Sequence, residues 1–162
     1  MKNYSVAQRV LVWLPVILLP TGNLLMLLFA PFSFSPRILL FSLVGAVAEE
    51  LFFRGFLLKT IFLPRIKPVL AIILVSALFA AMHLINLRNG TPFPAILPQM
   101  LCAFCFSTWA GAVVRRRDSV FIPLLAHVLL NLTAVTEGTL LPLIMSAIVL
   151  ADGILLMKVK VA

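Results

Sequence analysis

Six long apolar stretches, separated by charges and turn-forming residues, make up most of the chain. They run from about Val6 to Phe29, Arg37 to Phe62, Val69 to Leu87, Pro94 to Val114, Ser119 to Ala134 and Leu140 to Met157. A membrane-spanning helix needs about 20 predominantly apolar residues, and most of these stretches come close to that length or exceed it. The pattern predicts an all-α, polytopic transmembrane bundle of about six helices, forming one domain over residues 1–162.

The composition supports a membrane rather than an aqueous environment. Hydrophobic residues account for 63% of the chain and charged residues for 11%, whereas a soluble domain is about half apolar and about one quarter charged. The net charge of +8 could suggest nucleic acid. The basic residues, however, form short clusters between apolar stretches, which is typical of cytoplasmic loops. We therefore expect the lipid bilayer as a partner and no nucleic acid.

The basic residues also predict an orientation. The N-terminus, the second and fourth loops and the C-terminus hold ten of them: Lys2, Arg9, Lys59, Arg65, Lys67, Arg115, Arg116, Arg117, Lys158 and Lys160. The opposite side holds only Arg37 and Arg88. This bias predicts cytoplasmic termini and an even number of helices. The first stretch lacks a small-residue cleavage site, so we interpret it as a retained helix rather than a signal peptide.

Five ionisable residues lie inside the predicted helices: Glu49, Glu50, Arg54, His83 and His127. Each costs at least about 2.5 kcal/mol near the centre of a membrane, so either mutual pairing or a functional site must account for them. Glu50 and Arg54 are four residues apart and can pair on one helix face. Glu49 points about 100° away around the helix and must meet another helix. Such a carboxylate suits a general base or acid.

Polar residues on two further helices extend this group. His83 is followed one turn later by Asn86, and His127 is followed by Asn131. Each pair alone could serve as ordinary hydrogen-bonding groups between helices. Glu49, His83, His127 and Asn131 lie well inside three separate helices, so we expect these four residues to converge on one polar site within the membrane. Cys102 and Cys105 are a weak metal or redox signal, and we interpret them as packing residues.

Three motifs now resemble a known family. Glu49–Arg54 matches E-E-x-x-x-R, Phe79–His83 matches F-x-x-x-H, and His127–Asn131 matches H-x-x-x-N. In this order, on separate apolar helices, they resemble the CAAX-protease and bacteriocin-processing (CPBP, or Abi) family of intramembrane proteases. The resemblance covers about residues 42–131, and the first and sixth helices carry nothing diagnostic.

The resemblance implies a glutamic-type peptidase mechanism. Glu49 matches the catalytic glutamate, which activates a water together with His83. His127 and Asn131 match the pair that stabilises the oxyanion.

The remaining motif residues have supporting roles in the resemblance. Glu50 matches the second acid, Arg54 the motif arginine, and Phe79 the aromatic position before His83. The substrate implied is a membrane-anchored protein or peptide. Typical members have about eight spanning helices, so this chain is more similar to short prokaryotic members that process peptides or C-terminal sorting tails. That similarity implies a bacterial or archaeal cell membrane.

Three alternatives remain open from the residues alone. One glutamate and two histidines could bind zinc with an open position for water, although H-E-x-x-H is absent and the resemblance favours no metal cofactor. The chain could instead be a non-catalytic immunity or scaffold protein. Intramembrane Glu and His also mark transporters and proton relays, although we find no repeat symmetry of the kind common in transporters.

Overall fold

The described part of the chain, residues 5–27, 36–133 and 140–158 of a computed structural model, forms six helices. They are α1 (Val6–Leu27), α2 (Pro36–Glu50, continued by a π-helical segment Leu51–Phe62), α3 (Pro68–Met82, continued by a 3₁₀ segment His83–Asn89), α4 (Phe93–Arg117), α5 (Phe121–Thr133) and α6 (Leu140–Lys158). The all-α, six-helix prediction is confirmed. Most of the predicted loop before Pro36, together with Lys2 and Lys160, lies outside the described residues.

Large apolar side chains cover the outside of this bundle. They include Val6 and Ile17 on α1, Leu40 and Val44 on α2, Leu70 and Leu78 on α3, Leu97 and Leu101 on α4, Phe121 on α5, and Ile144 and Ile148 on α6. Two described helices, Pro68–Asn89 and Phe93–Arg117, are long and apolar enough to span a membrane, and Val6–Gly22 and Phe121–Leu132 are shorter apolar helices. Apolar exposure on this scale marks contact with lipid or with another protein.

The second helix changes its hydrogen-bonding pattern at the residue after Glu50. From Leu51 the backbone follows π-helical bonding, as in the bond from Leu63 N to Leu58 O at 2.9 Å. Arg65 then donates to two carbonyl oxygens of the last turn. The apolar pattern predicted one continuous helix and contained no signal for this change. Departures from α-helical bonding of this kind are rare and are frequently found at functional sites.

The third helix tightens where its histidine lies. The α-helix ends at Met82, and a 3₁₀ segment runs from His83 to Asn89. Gly90 ends the segment with φ 86°, a left-handed conformation that glycine adopts without the steric cost of a Cβ. His83 therefore lies at the junction between two helix types.

The central helix of the bundle is α4. Trp109 is fully buried, and its Nε1 donates to Leu11 O on α1 at 3.2 Å. Along α4 and α6 the contacts advance together, from Cys102 with Pro142 to Trp109 with Gly153. The two helices therefore run parallel, side by side.

Gly153 determines how closely α6 approaches α4. A Cβ at this position would lie 2.9 Å from both the backbone N and the Cα of Trp109. Overpacking against backbone that cannot move aside costs about 1–3 kcal/mol. We expect Gly153→Ala to lower the thermal unfolding temperature in detergent.

Gly45→Ala is the matched control for this prediction, since a Cβ there would meet nothing within 4 Å. Equal unfolding temperatures for Gly153→Ala and Gly45→Ala would contradict the close approach of the two helices.

Candidate active site

Glu50 is the centre of a buried polar cluster. Its side chain is 0% exposed, and Oε1 lies 2.9 Å from Arg54 Nη1 and 2.9 Å from His127 Nδ1. The predicted pair of Glu50 and Arg54 is confirmed. An ionised carboxylate only accepts hydrogen bonds, so Nδ1 of His127 carries a proton and donates it. Glu50 therefore also fixes the ring of His127, which lies 77 residues further along the chain.

Aromatic rings enclose this cluster. The guanidinium carbon of Arg54 lies 4.3 Å from the ring centroid of Phe79 and 5.5 Å from that of Phe106. The Phe79 ring also meets the rings of His83 and His127 edge-on, at 5.4 Å and 5.9 Å between centroids. Stacking on ring faces stabilises a cation that is removed from water. Phe79 thus connects the arginine to both histidines.

Glu49 lies on a different side of α2 from Glu50. Its side chain is 31% exposed, and its Oε2 is 3.7 Å from Nε2 of His127. The two adjacent glutamates therefore approach opposite ring nitrogens of one histidine. The sequence analysis expected Glu49 to meet another helix, and that helix is α5. Its catalytic role stays a prediction.

His83 has a defined orientation. Its Nδ1 lies 3.0 Å from Phe79 O, one turn earlier. A carbonyl oxygen only accepts, so Nδ1–H is the donor, and the neutral ring has its lone pair on Nε2. Hydrogen bonds of this kind commonly set which histidine nitrogen is basic.

The two asparagines each bind one neighbouring helix. Asn131 Nδ2 donates to Ser42 O on α2 at 3.3 Å, and Asn86 Nδ2 donates to Gln99 Oε1 on α4 at 2.9 Å. The first bond holds α5 against α2 close to the two glutamates. The second lies at an exposed position.

A cavity of about 250 Å³ adjoins the cluster. Side chains from five helices, α1 and α3 to α6, line this cavity. They are Leu19, Phe79, His83, Gln99, Cys102, Ala103, Phe106, His127, Leu130, Asn131, Pro142, Met145, Ser146 and Val149. Three of the four predicted catalytic residues, His83, His127 and Asn131, are thus brought to one cavity. Glu49 is not among the lining residues, and its Oε2 lies 3.7 Å from Nε2 of His127, which does line the cavity.

Residues of α1 and α6, which the sequence did not indicate, also contribute to the cavity. Leu19 of α1 and a face of α6 with Met145 and Ser146 line the cavity. On α6 the lining residues Pro142, Met145, Ser146 and Val149 have the spacing of one helix face. Because every helix has such faces, the sequence held no signal that this one meets a site. Of the two cysteines expected in packing, Cys105 is buried and Cys102 lines the cavity.

Potential metal ligands are spread apart in the described part of the chain. Within residues 5–27, 36–133 and 140–158, no three His, Cys, Asp or Glu side chains stand together as a ligand group. A catalytic zinc site uses three protein ligands at bonding distance. The arrangement around His127 is one of hydrogen-bonded partners.

The fold and the cluster define a class: a helical membrane protein with one buried and one partly exposed glutamate, a buried arginine and two histidines beside a cavity. A family model described as type II CAAX prenyl endopeptidase Rce1-like matches residues 31–133, which is more than half of the chain. The chain belongs to this Rce1-like family. No curated protein matches the chain, and no solved structure does.

Family membership carries several consequences. The family consists of integral membrane proteases that act on membrane-associated peptide substrates. The chain is therefore an integral membrane protein of the peptidase class, and the resemblance drawn from its three motifs is confirmed. The match runs from just before α2 to the end of α5, slightly beyond residues 42–131, and excludes α1 and α6.

Proposed function

We propose that the chain is an intramembrane endopeptidase, which hydrolyses a peptide bond of a membrane-anchored protein or peptide with an activated water. The observation that carries this proposal is the pair of glutamates on opposite nitrogens of His127, beside a cavity that also holds His83 and Asn131. Hydrolysis of an amide needs a base for the water and donors for the developing oxyanion. The cluster supplies both.

Glu49 and His83 are the proposed water-activating couple. Glu49 is the accessible glutamate, and the bond from His83 Nδ1 to Phe79 O leaves Nε2 able to accept a proton. A water between them loses a proton as its oxygen attacks the substrate carbonyl. The same proton is then available to the leaving amine, which completes the hydrolysis.

His127 and Asn131 are the proposed oxyanion donors. One N–H of the Asn131 amide is bound to Ser42 O, and the other is available because an amide nitrogen carries two. His127 donates through Nδ1 to Glu50, and in this proposal its Nε2 carries a second proton for the oxyanion. Removing one oxyanion donor typically costs about 10²–10³ in kcat. Glu50 and Arg54 act as positioning residues, since they hold the His127 ring.

Catalysis without a metal is part of this proposal. The absence of a three-ligand group among the described residues supports it. We expect purified protein in proteoliposomes to keep its cleavage rate after treatment with 1,10-phenanthroline or EDTA. A rate that fell with chelator and returned with added zinc would contradict metal-free catalysis.

The narrower substrate we propose is a C-terminal tail or sorting segment of a membrane-anchored protein, in a bacterial or archaeal cell membrane, with both termini of the protease in the cytoplasm. The three family motifs support a membrane-anchored substrate, and the ten basic residues on one side of the membrane against two on the other support the orientation. The test compares membrane proteomes of cells with wild-type protein and with Glu49→Ala, by mass spectrometry of C-termini. Membrane-anchored proteins should keep an uncut tail in the variant, and identical C-termini in both strains would overturn the proposal.

A further inference from the structure

The cavity has a second wall that the proposed chemistry does not use. On α6 this wall consists of Pro142, Met145, Ser146 and Val149, whose spacing places them on one helix face. Cys102 and Ala103 continue it on α4. We call these six residues the α6 wall. It belongs partly to a helix outside the family match.

From this wall we infer a substrate subsite: the α6 wall holds one bulky apolar side chain of the substrate next to the bond that is cut. The inference rests on the proposed function and adds to it the chemistry of the substrate. It also gives α6 a function in the choice of substrate.

The size of the cavity suits such a side chain. An apolar cavity of about 150 Å³ is large enough to bind benzene, and this one measures about 250 Å³. Three of the six wall residues, Cys102, Ala103 and Ser146, are small and leave space that leucine or phenylalanine would fill. A branched or aromatic side chain therefore fits, with room for part of the peptide backbone.

The distribution of polar groups gives the substrate a direction. His83, His127 and Asn131 lie on the lining from α3 and α5, whereas the α6 wall presents a thioether, aliphatic carbons, a thiol and one hydroxyl. A peptide bond placed against the polar side leaves its adjacent side chain against the α6 wall. A charged side chain there would lose its water without gaining a counter-ion, which is costly.

Two substitutions test the size of the subsite. Ser146→Leu adds bulk to the wall, whereas its control Ala147→Leu adds bulk at the next position of α6, which is exposed and does not line the cavity. Purified variants in proteoliposomes are given a library of short peptides from a digested proteome, and mass spectrometry identifies the cleaved bonds. We expect wild type and Ala147→Leu to cut beside Leu, Ile, Phe or Met. Ser146→Leu should cut these bonds roughly 10- to 200-fold less well and favour Ala or Gly, the range in which apolar pockets discriminate by size.

The outcomes separate this inference from the proposed function. Glu49→Gln is included, and equal cleavage by wild type and Glu49→Gln would overturn the proposed function. Cleavage that depends on Glu49, with the same residue preference in wild type and Ser146→Leu, would overturn the subsite alone. Ala103→Leu fills the cavity from α4 and should reproduce the shift, and thermal unfolding of each variant shows whether it has folded.

Cys102 gives a second test that needs no catalysis. Its thiol lines the cavity, so N-ethylmaleimide modification of Cys102 in Glu49→Gln protein reports whether the cavity is filled. Acetyl-Leu-Phe-Leu-amide should slow this modification, acetyl-Gly-Gly-Gly-amide should not, and Ser146→Leu should remove the protection. Equal modification rates with both peptides would overturn the subsite.

Discussion

Replacing Glu49 with glutamine is expected to lower kcat by about 10²–10⁴, the contribution of a positioned general base. The change keeps the size and shape of the side chain but removes its ability to take a proton from water. It should leave the bundle folded, because Glu49 is 31% exposed and its contact with His127 is 3.7 Å long. The measurement is kcat for the tail substrate in proteoliposomes, together with the thermal unfolding temperature.

Asp118→Asn is the matched control for Glu49→Gln. It removes a carboxylate that is 86% exposed and paired with Lys59 rather than with a motif residue. We expect this variant to cleave at the wild-type rate. Full activity in Glu49→Gln would exclude Glu49 as the base, and unfolding of the variant would show that Glu49 is a structural residue instead.

Replacing Glu50 with alanine should reduce the free energy of unfolding by about 3–5 kcal/mol, the usual cost of removing one partner from a buried ion pair. Arg54 is 0% exposed and would be left as an uncompensated cation among aromatic rings. His127 would lose the acceptor that holds its Nδ1. Thermal or denaturant unfolding in detergent measures the loss.

A double substitution separates stability from activity at the same place. Glu50→Leu with Arg54→Met removes both charges and keeps the volume apolar, so we expect most of the stability to return. Activity should stay low, because the His127 ring is no longer held. Recovery of both quantities would contradict the positioning role of Glu50.

The exposed pair of Lys59 and Asp118 is the control for burial. The two charged groups approach to 2.7 Å, as close as any ion pair in the site. Their side chains, however, are 34% exposed for Lys59 and 86% exposed for Asp118. Exposed pairs contribute about 0–1 kcal/mol. Lys59→Ala should therefore change the unfolding temperature little, and a loss equal to that of Glu50→Ala would show that burial is not the cause.

Much of this protein could be predicted from the order of its residues. Lipid allows few ways to satisfy backbone hydrogen bonds, so long apolar stretches lead directly to helices and to their number. The spacing of residues within one helix predicts equally directly which side chains share a face, and for this reason the pair of Glu50 and Arg54 was expected. The three motifs indicated the family because each lies within a single helix.

Contacts between helices could not be predicted from composition or from spacing within one helix. No local pattern states that Glu50 also binds His127, that Glu49 approaches the same ring from the other side, or that α6 forms a wall of the cavity. The π-helical segment after Glu50 and the 3₁₀ segment at His83 were missed for the same reason. Apolar periodicity alone does not distinguish these backbones from a continuous α-helix.

The sequence by itself thus determined the membrane environment, the helices and the polar residues inside them, because these depend on composition and on spacing within one turn. Only the tertiary structure decided which of these residues meet. It did so through close packing, such as the backbone contact of Gly153 with α4 that brings α6 to the cavity. That packing depends on the shapes of whole helix faces, which no short stretch of sequence specifies.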